Sequence, residues 1–161
     1  MTGPSARAVG LQLHGPLIEV RFAMNADHER EFRAQGRPVV ETPPMLGILD
    51  TGSDTTIVPP GTFRILRVPV TGNRPLRSVG VSHGLVDCCR GRLLFRGPRG
   101  ETVESPVSAS ERGLGGTIQC LVGRDTLLHG MLSYNGREGA CGLSLRGVEI
   151  PLVGWPDGGP G

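Results

Sequence analysis

Met45-Leu46-Gly47-Ile48-Leu49-Asp50-Thr51-Gly52-Ser53-Asp54-Thr55-Thr56-Ile57-Val58 is the stretch on which the reading of this chain turns. An apolar run enters an acidic turn and a β-branched run leaves it, a pattern that predicts strand, turn, strand with Asp50 closing the first strand. An aspartate at the end of an apolar strand is costly to bury unless its charge is shared or hydrogen-bonded. Gly52 allows a sharp turn, so the amides that follow can point back at the Asp50 carboxylate. An Asx-type turn would use the same residues with no chemistry attached. On Asp-Thr-Gly alone, both readings stay open.

Outward from this stretch, the chain reads as strands and turns. Its 161 residues suit one domain. With 26 Gly and 14 Pro, long helices are disfavoured, because each costs about 1 and about 3 kcal/mol in a helix interior. Ile18, Val20 and Phe22 alternate with Glu19 and Arg21, as in a half-buried strand. Further short apolar runs lie at Met45 to Leu49, Thr55 to Val58, Ile65 to Val70, Leu93 to Phe95 and Leu143 to Leu145, divided by Gly, Pro and Asn turns. Asp27 to Arg33 is charge-dense and reads as a solvated loop or hairpin tip, although Glu29 and Arg33 stand at i,i+4. Helix is expected only at Arg124 to His129, which follows Gly123 and ends at Gly130. The expected fold is all-β, a small closed barrel or sandwich over residues 10–153 with one short C-terminal helix. Residues 1–9 and 154–161 read as flexible tails.

Charge and composition exclude several functions. Seventeen basic against 15 acidic residues leave a net charge of +2 with no basic run and six aromatic residues in all, which gives no footprint for nucleic acid. All the basic residues are Arg; a phosphate loop that needs Lys is therefore impossible, as is the Asp-Lys start of phosphoryl-transfer ATPases. Dehalogenase-type Asp-x-Asp is also missing. Cys88, Cys89, Cys120 and Cys141 contain no Cys-x-x-Cys spacing, so no metal or other cofactor is expected and the thiols read as reduced and structural. No apolar leader and no membrane-length apolar window occurs in the sequence. The expectation is a soluble cytoplasmic protein that binds neither nucleic acid nor membrane.

The stretch around Asp50 resembles the active-site loop of aspartic proteases of the single-domain, retropepsin-like kind: an apolar pair, Asp-Thr-Gly-Ser, a polar residue and a β-branched run. A second element stands 70 positions on, where Cys120-Leu121-Val122-Gly123-Arg124-Asp125-Thr126-Leu127-Leu128 is similar to the apolar-apolar-Gly-Arg-Asp signature that opens the lone helix of retroviral proteases. The resemblance covers roughly residues 17 to 150. Val79-Gly80-Val81-Ser82-His83-Gly84-Leu85 is the best match for the glycine-rich flap. The terminal strands of the retroviral enzymes have no visible match.

The resemblance implies an aspartic endopeptidase with Asp50 as the catalytic residue in an active-site loop of Thr51, Gly52 and Ser53. That chemistry needs two carboxylates sharing one proton, and this chain holds a single Asp-Thr-Gly, because Asp125-Thr126 continues with Leu. A homodimer would bring Asp50 to the partner's copy across a two-fold axis. By resemblance, Thr51 would interlock across that axis, while Gly52, Asp54 and Val81 would contact a peptide or protein substrate. Gly123 and Arg124 would support the loop, with Arg124 gripping Asp54, and Ser53 would donate a hydrogen bond to Asp50. Ile57, Val58 and Leu121 read as core or pocket wall. A catalytically silent dimer of the same fold, used for binding or assembly, is the competing reading.

Overall fold

The computed structural model describes Leu11 and residues 15–78 and 81–153, with the side chains of residues 77–78 and 81–83 left out. The two expected tails lie outside the described residues. The described elements are β1 (Leu17–Met24), α1 (Ala26–Ala34), β2 (Met45–Leu49), β3 (Ile57–Val58), α2 (Thr62–Leu66), β4 (Gly72–Ser78), β5 (Val81–Arg96), β6 (Thr102–Glu111), β7 (Cys120–Val122), α3 (Arg124–Leu127), β8 (Gly130–Asn135), β9 (Ala140–Leu145) and β10 (Val148–Ile150).

Alternation in β1 sets the inside of the fold. Ile18, Val20 and Phe22 are buried, whereas Glu19 faces solvent. β1 pairs antiparallel with β2 through Leu17↔Ile48 and with β5 through Arg21↔Leu94 to Met24↔Gly91. The remaining ladders run β2–β7, β7–β3, β3–β6 and β6–β5, so six strands close into a ring, and β4 extends β5 as a hairpin arm. Closure leaves the six ring strands no free edge. Gly91 is required for it, because a Cβ there would overlap the Phe22 ring and the Ala23 carbonyl.

The core fills this ring. Phe22, Met24, Leu93, Phe95, Val107, Ala109 and Val122 pack inside, capped by Phe63 and Leu66 of α2, with the Phe22 and Phe63 rings 6.2 Å apart. A separate three-stranded sheet in the order β10-β9-β8 contributes Leu143, Leu145 and Ile150 to the same core. All four cysteines are free thiols. Burial pushes the Cys89 and Cys120 thiols up to about 12, helped by nearby Glu111 and Asp125 respectively, so both are inert packing groups. No described helix is long and apolar enough to cross a membrane.

The all-β expectation holds, with three corrections to its elements. Asp27 to Arg33 is not a loop but lies within the helix α1. Asn25 caps it, accepting from the Asp27 and His28 amides at 3.1 and 2.9 Å, and Phe32 anchors it in the core beneath Arg37. Glu29 and Arg33 pair at 2.7 Å along the helix, and Glu29 also binds Arg92 of β5. The run at Ile65 to Val70 is not a strand. Its start belongs to α2, bracketed by left-handed Gly61 and Arg67, with Phe63 and Leu66 buried at i,i+3. The strand expected from Thr55 shortens to Ile57–Val58, and the Thr55 and Thr56 hydroxyls just ahead of it bind the Ser108 carbonyl and the Asp125 carboxylate. The C-terminal helix is present as the single turn Arg124–Leu127.

Candidate active site

Asp50 follows the last residue of β2, and its amide continues the β2–β7 ladder by donating to the Val122 carbonyl at 3.0 Å. The chain then turns back on itself. The Gly52 amide donates to Asp50 Oδ1 at 2.8 Å, and the Ser53 amide donates to the Asp50 carbonyl at 3.3 Å. The half-buried carboxylate is thus held in one orientation by the backbone that follows it. A Cβ at Gly52 would sit 3.1 Å from Asp50 Oδ1, so the glycine keeps that oxygen unobstructed.

The second motif fastens this loop from outside. The Arg124 amide donates to the Ser53 carbonyl at 2.9 Å, and the Arg124 guanidinium reaches the Thr51 carbonyl at 3.4 Å. Gly123 lies so close to the loop that a Cβ would overlap the Thr55 carbonyl. Gly123 and Arg124 thus meet the loop through backbone contact and a carbonyl rather than an ion pair.

The expected Arg124–Asp54 grip does not form. Both residues are exposed, and Asp54 has no ion pair among the described residues. Two solvated side chains gain little by meeting, and the Thr51 carbonyl offers Arg124 a fixed acceptor. Ser53 likewise departs from expectation, because its hydroxyl donates to the Thr55 carbonyl at 2.7 Å and not to Asp50. Thr51 is exposed beside Asp50. Ile57 and Val58 are core, and Leu121 is half-buried.

A buried joint between the two motifs was missed in the sequence. Thr56 Oγ1 donates to Asp125 Oδ1 at 2.8 Å, accepts from the Gly123 amide at 3.2 Å and lies 3.2 Å from Thr126 Oγ1. Neighbouring Thr55 anchors the same segment by donating to the Ser108 carbonyl at 2.8 Å. Burial pushes the Asp125 carboxyl up from its ordinary range, against the opposing pull of the Thr56 hydroxyl and nearby amides. Asp125 Oδ2 is buried with no hydrogen-bond partner among the described residues. Two consecutive threonines entering a strand beside a Gly-Arg-Asp turn are the signal that could have found this joint.

The flap match falls on the β4–β5 hairpin. Arg77↔Ser82 and Ser78↔Val81 are its last rungs, a bulge interrupts it between Pro75 and Arg77, and Gly84 takes a left-handed conformation. Val79 and Gly80 lie outside the described residues, as do the side chains of Val81 and His83. Leu85, just behind the turn, is exposed.

No family model and no curated protein matches this chain. Among solved structures it is similar to the retroviral protease-like domain of Ddi1 from Leishmania major, at 14% identity over 88% of this chain and 98% of that one, with a TM-score of 0.46. It is also similar to a retropepsin-like aspartic protease from Rickettsia conorii, at 12% identity over 83% and 90% of the two chains, TM-score 0.40. EIAV protease complexed with the inhibitor HBY-793 matches at 19% identity over 53% of this chain and 75% of that one, TM-score 0.32. The structural neighbours of this mostly β fold are thus retropepsin-like domains at low identity.

Proposed function

We propose that this chain is an aspartic endopeptidase that hydrolyses peptide bonds as a homodimer, with Asp50 of each copy at the shared centre. The observation that carries the reading is the Asp50 carboxylate held by the Gly52 amide in a loop that Gly123 and Arg124 fasten to the barrel. A fold needs no such fastening to complete an Asx turn, whereas a reacting carboxylate must keep its geometry to a fraction of an ångström.

In this reading the two carboxylates share one proton. One accepts a proton from the attacking water while the other donates to the oxygen of the scissile carbonyl, and the pair titrates as a unit. Gly52 offers its carbonyl to the substrate backbone, exposed Asp54 binds substrate main chain, and the β4–β5 hairpin carrying Val81 closes over the peptide. Thr51, exposed beside Asp50, meets its counterpart across the two-fold axis. Buried thiols with no disulfide suit a reducing, cytoplasmic setting.

The test is hydrolysis of unfolded proteins by the purified full chain between about pH 4 and 7, with and without a statine-type inhibitor that mimics the tetrahedral intermediate. Activity blocked by the inhibitor and lost in Asp50→Asn, with the dimer intact, supports the reading. Hydrolysis by Asp50→Asn would falsify it. A dimer with no hydrolysis under any condition favours the binding or assembly module instead.

A further inference from the structure

A cleft of about 410 Å³ opens between the start of α1, the β5–β6 ladder and α3. Its size falls within the ~300 to 1,000 Å³ of clefts that hold small ligands. Asn25 ties two of its walls together, because its Nδ2 donates to the Arg90 carbonyl at 3.4 Å. Ser108, opposite Arg90 in the ladder, is fixed twice over: its carbonyl accepts from the Thr55 hydroxyl at 2.8 Å and its hydroxyl from Arg74 at 2.7 Å. The cleft is therefore walled by parts that are bonded to the barrel and to one another.

Its charges are not matched within the chain. Asp27 is taken by Arg30 at 2.8 Å, but Arg90 is exposed and has no carboxylate partner among the described residues. Asp125 spends Oδ1 on the Thr56 hydroxyl and the Thr126 amide, while its Oδ2 is buried with no hydrogen-bond partner among the described residues. An acceptor buried without a donor is destabilising and rare in folded chains. Burial pushes this carboxyl up, as happens where no counter-charge stands beside it. Among the described residues no three His, Cys, Asp or Glu side chains stand close enough to hold a metal ion, so the unmet oxygen calls for an N–H donor.

We propose that this cleft binds a small zwitterion of the amino-acid or short-peptide class, its ammonium on Asp125 Oδ2 and its carboxylate on Arg90. Opposite charges that line one cleft without pairing ask for a ligand with two ends. A lone amine leaves Arg90 unanswered, and a lone acid leaves Asp125 so. The guanidinium fork suits a carboxylate, and exposed Pro106 offers apolar surface to a side chain. The site goes beyond the reading of Asp50 and does not depend on it, although the other oxygen of Asp125 holds Thr56 behind the Asp50 loop.

The experiment is calorimetric titration of the full chain with glycyl-leucine and with leucine. N-acetyl-glycyl-leucine, which lacks the ammonium, and glycyl-leucinamide, which lacks the carboxylate, are the controls. The expected result is binding of at least one zwitterion, weakened about 10-fold or more by either blocking group. Asp125→Asn should weaken glycyl-leucine as much and leave the acetylated peptide unchanged, whereas Arg90→Gln should weaken glycyl-leucine and leave the amide unchanged. Arg90 is exposed, so its variant keeps the test in force even if Asp125→Asn fails to fold. Tighter binding of the dipeptide than of leucine makes the ligand a peptide, and the reverse makes it an amino acid. No binding of either at millimolar concentration, or losses that ignore which end is blocked, would overturn the site. Binding lost in Asp50→Asn would overturn it too, by moving the ligand to Asp50. The two readings fail separately: binding by a chain without hydrolysis keeps the cleft and removes the protease, and hydrolysis without binding does the opposite.

Discussion

The Thr56 hydroxyl donates to Asp125 Oδ1 at 2.8 Å, joining residues 69 positions apart behind the loop that carries Asp50. The same hydroxyl oxygen accepts from the Gly123 amide. One buried side chain therefore satisfies a carboxylate and a backbone donor at once. Thr56→Val keeps the shape but leaves the Gly123 amide unpaired and Asp125 Oδ1 with the Thr126 amide alone, at a cost of about 1 to 3 kcal/mol. Urea unfolding should show a loss well above that of Thr56→Ser, which retains the hydroxyl. Equal losses in the two variants would assign Thr56 a packing role alone.

The raised Asp125 carboxyl makes a pH prediction whose sign follows from linkage. Its folded value lies above the ordinary 3.8, so its contribution to stability is fully present below that value and is lost as pH rises through the folded value. Asp27, Arg90 and His129 line the same cleft of about 410 Å³, and Glu29, whose carboxyl Arg33 and Arg92 hold down, also responds to acid. The informative quantity is thus the difference between variants. Asp125→Asn keeps an acceptor for Thr56 and cannot ionise, so it should gain stability relative to the natural chain as pH rises from about 4 towards 7. Melting temperatures of both proteins across that range check it, and a constant difference would show that Asp125 ionises as it does in water.

Two glycines in the site should respond differently to alanine. A Cβ at Gly123 meets the fixed backbone of Thr55 and Thr56, so Gly123→Ala should cost the fold about 1 to 3 kcal/mol or more and abolish activity with it. A Cβ at Gly52 meets only the Asp50 carboxylate, which can turn aside. Gly52→Ala should therefore unfold near the natural temperature while losing activity. Calorimetry and a peptide assay on both variants separate the two effects.

Ser53 should be neutral to the proton chemistry. Its hydroxyl serves the Thr55 carbonyl, so Ser53→Ala should cost about 0.5 to 1.5 kcal/mol of stability and leave the acid limb of the pH–rate profile in place. A shifted limb would mean that the hydroxyl turns to Asp50 when substrate is bound.

Strand alternation at Ile18 to Phe22 and the apolar run into Asp50 were legible because local burial pattern and tertiary role agree there. The α1 helix was not. Its sequence is polar, and its stability comes from the Asn25 cap and from Arg92 of a strand more than 60 positions away. The Ile65 run misled because apolar spacing at i,i+3 and a short strand look alike over five residues. Within the site, Asp50 and the supporting Gly123 and Arg124 stood out as motifs. The partners of Ser53, Arg124 and Thr56 did not, because which acceptor a short polar side chain reaches depends on ångström-level placement of distant backbone.

The loop carrying Asp50 is tied down by the carbonyl of Val122 and the amides of Gly123 and Arg124, which a ribosome adds more than 70 residues later. At about 5 to 20 residues per second, that interval is several seconds during which the aspartate is already made but its fastening is not. The nascent chain consequently passes through synthesis with an unassembled site. If Asp50 acts as proposed, competence is acquired only as β7 and α3 dock, a built-in delay that separates making the reactive group from arming it.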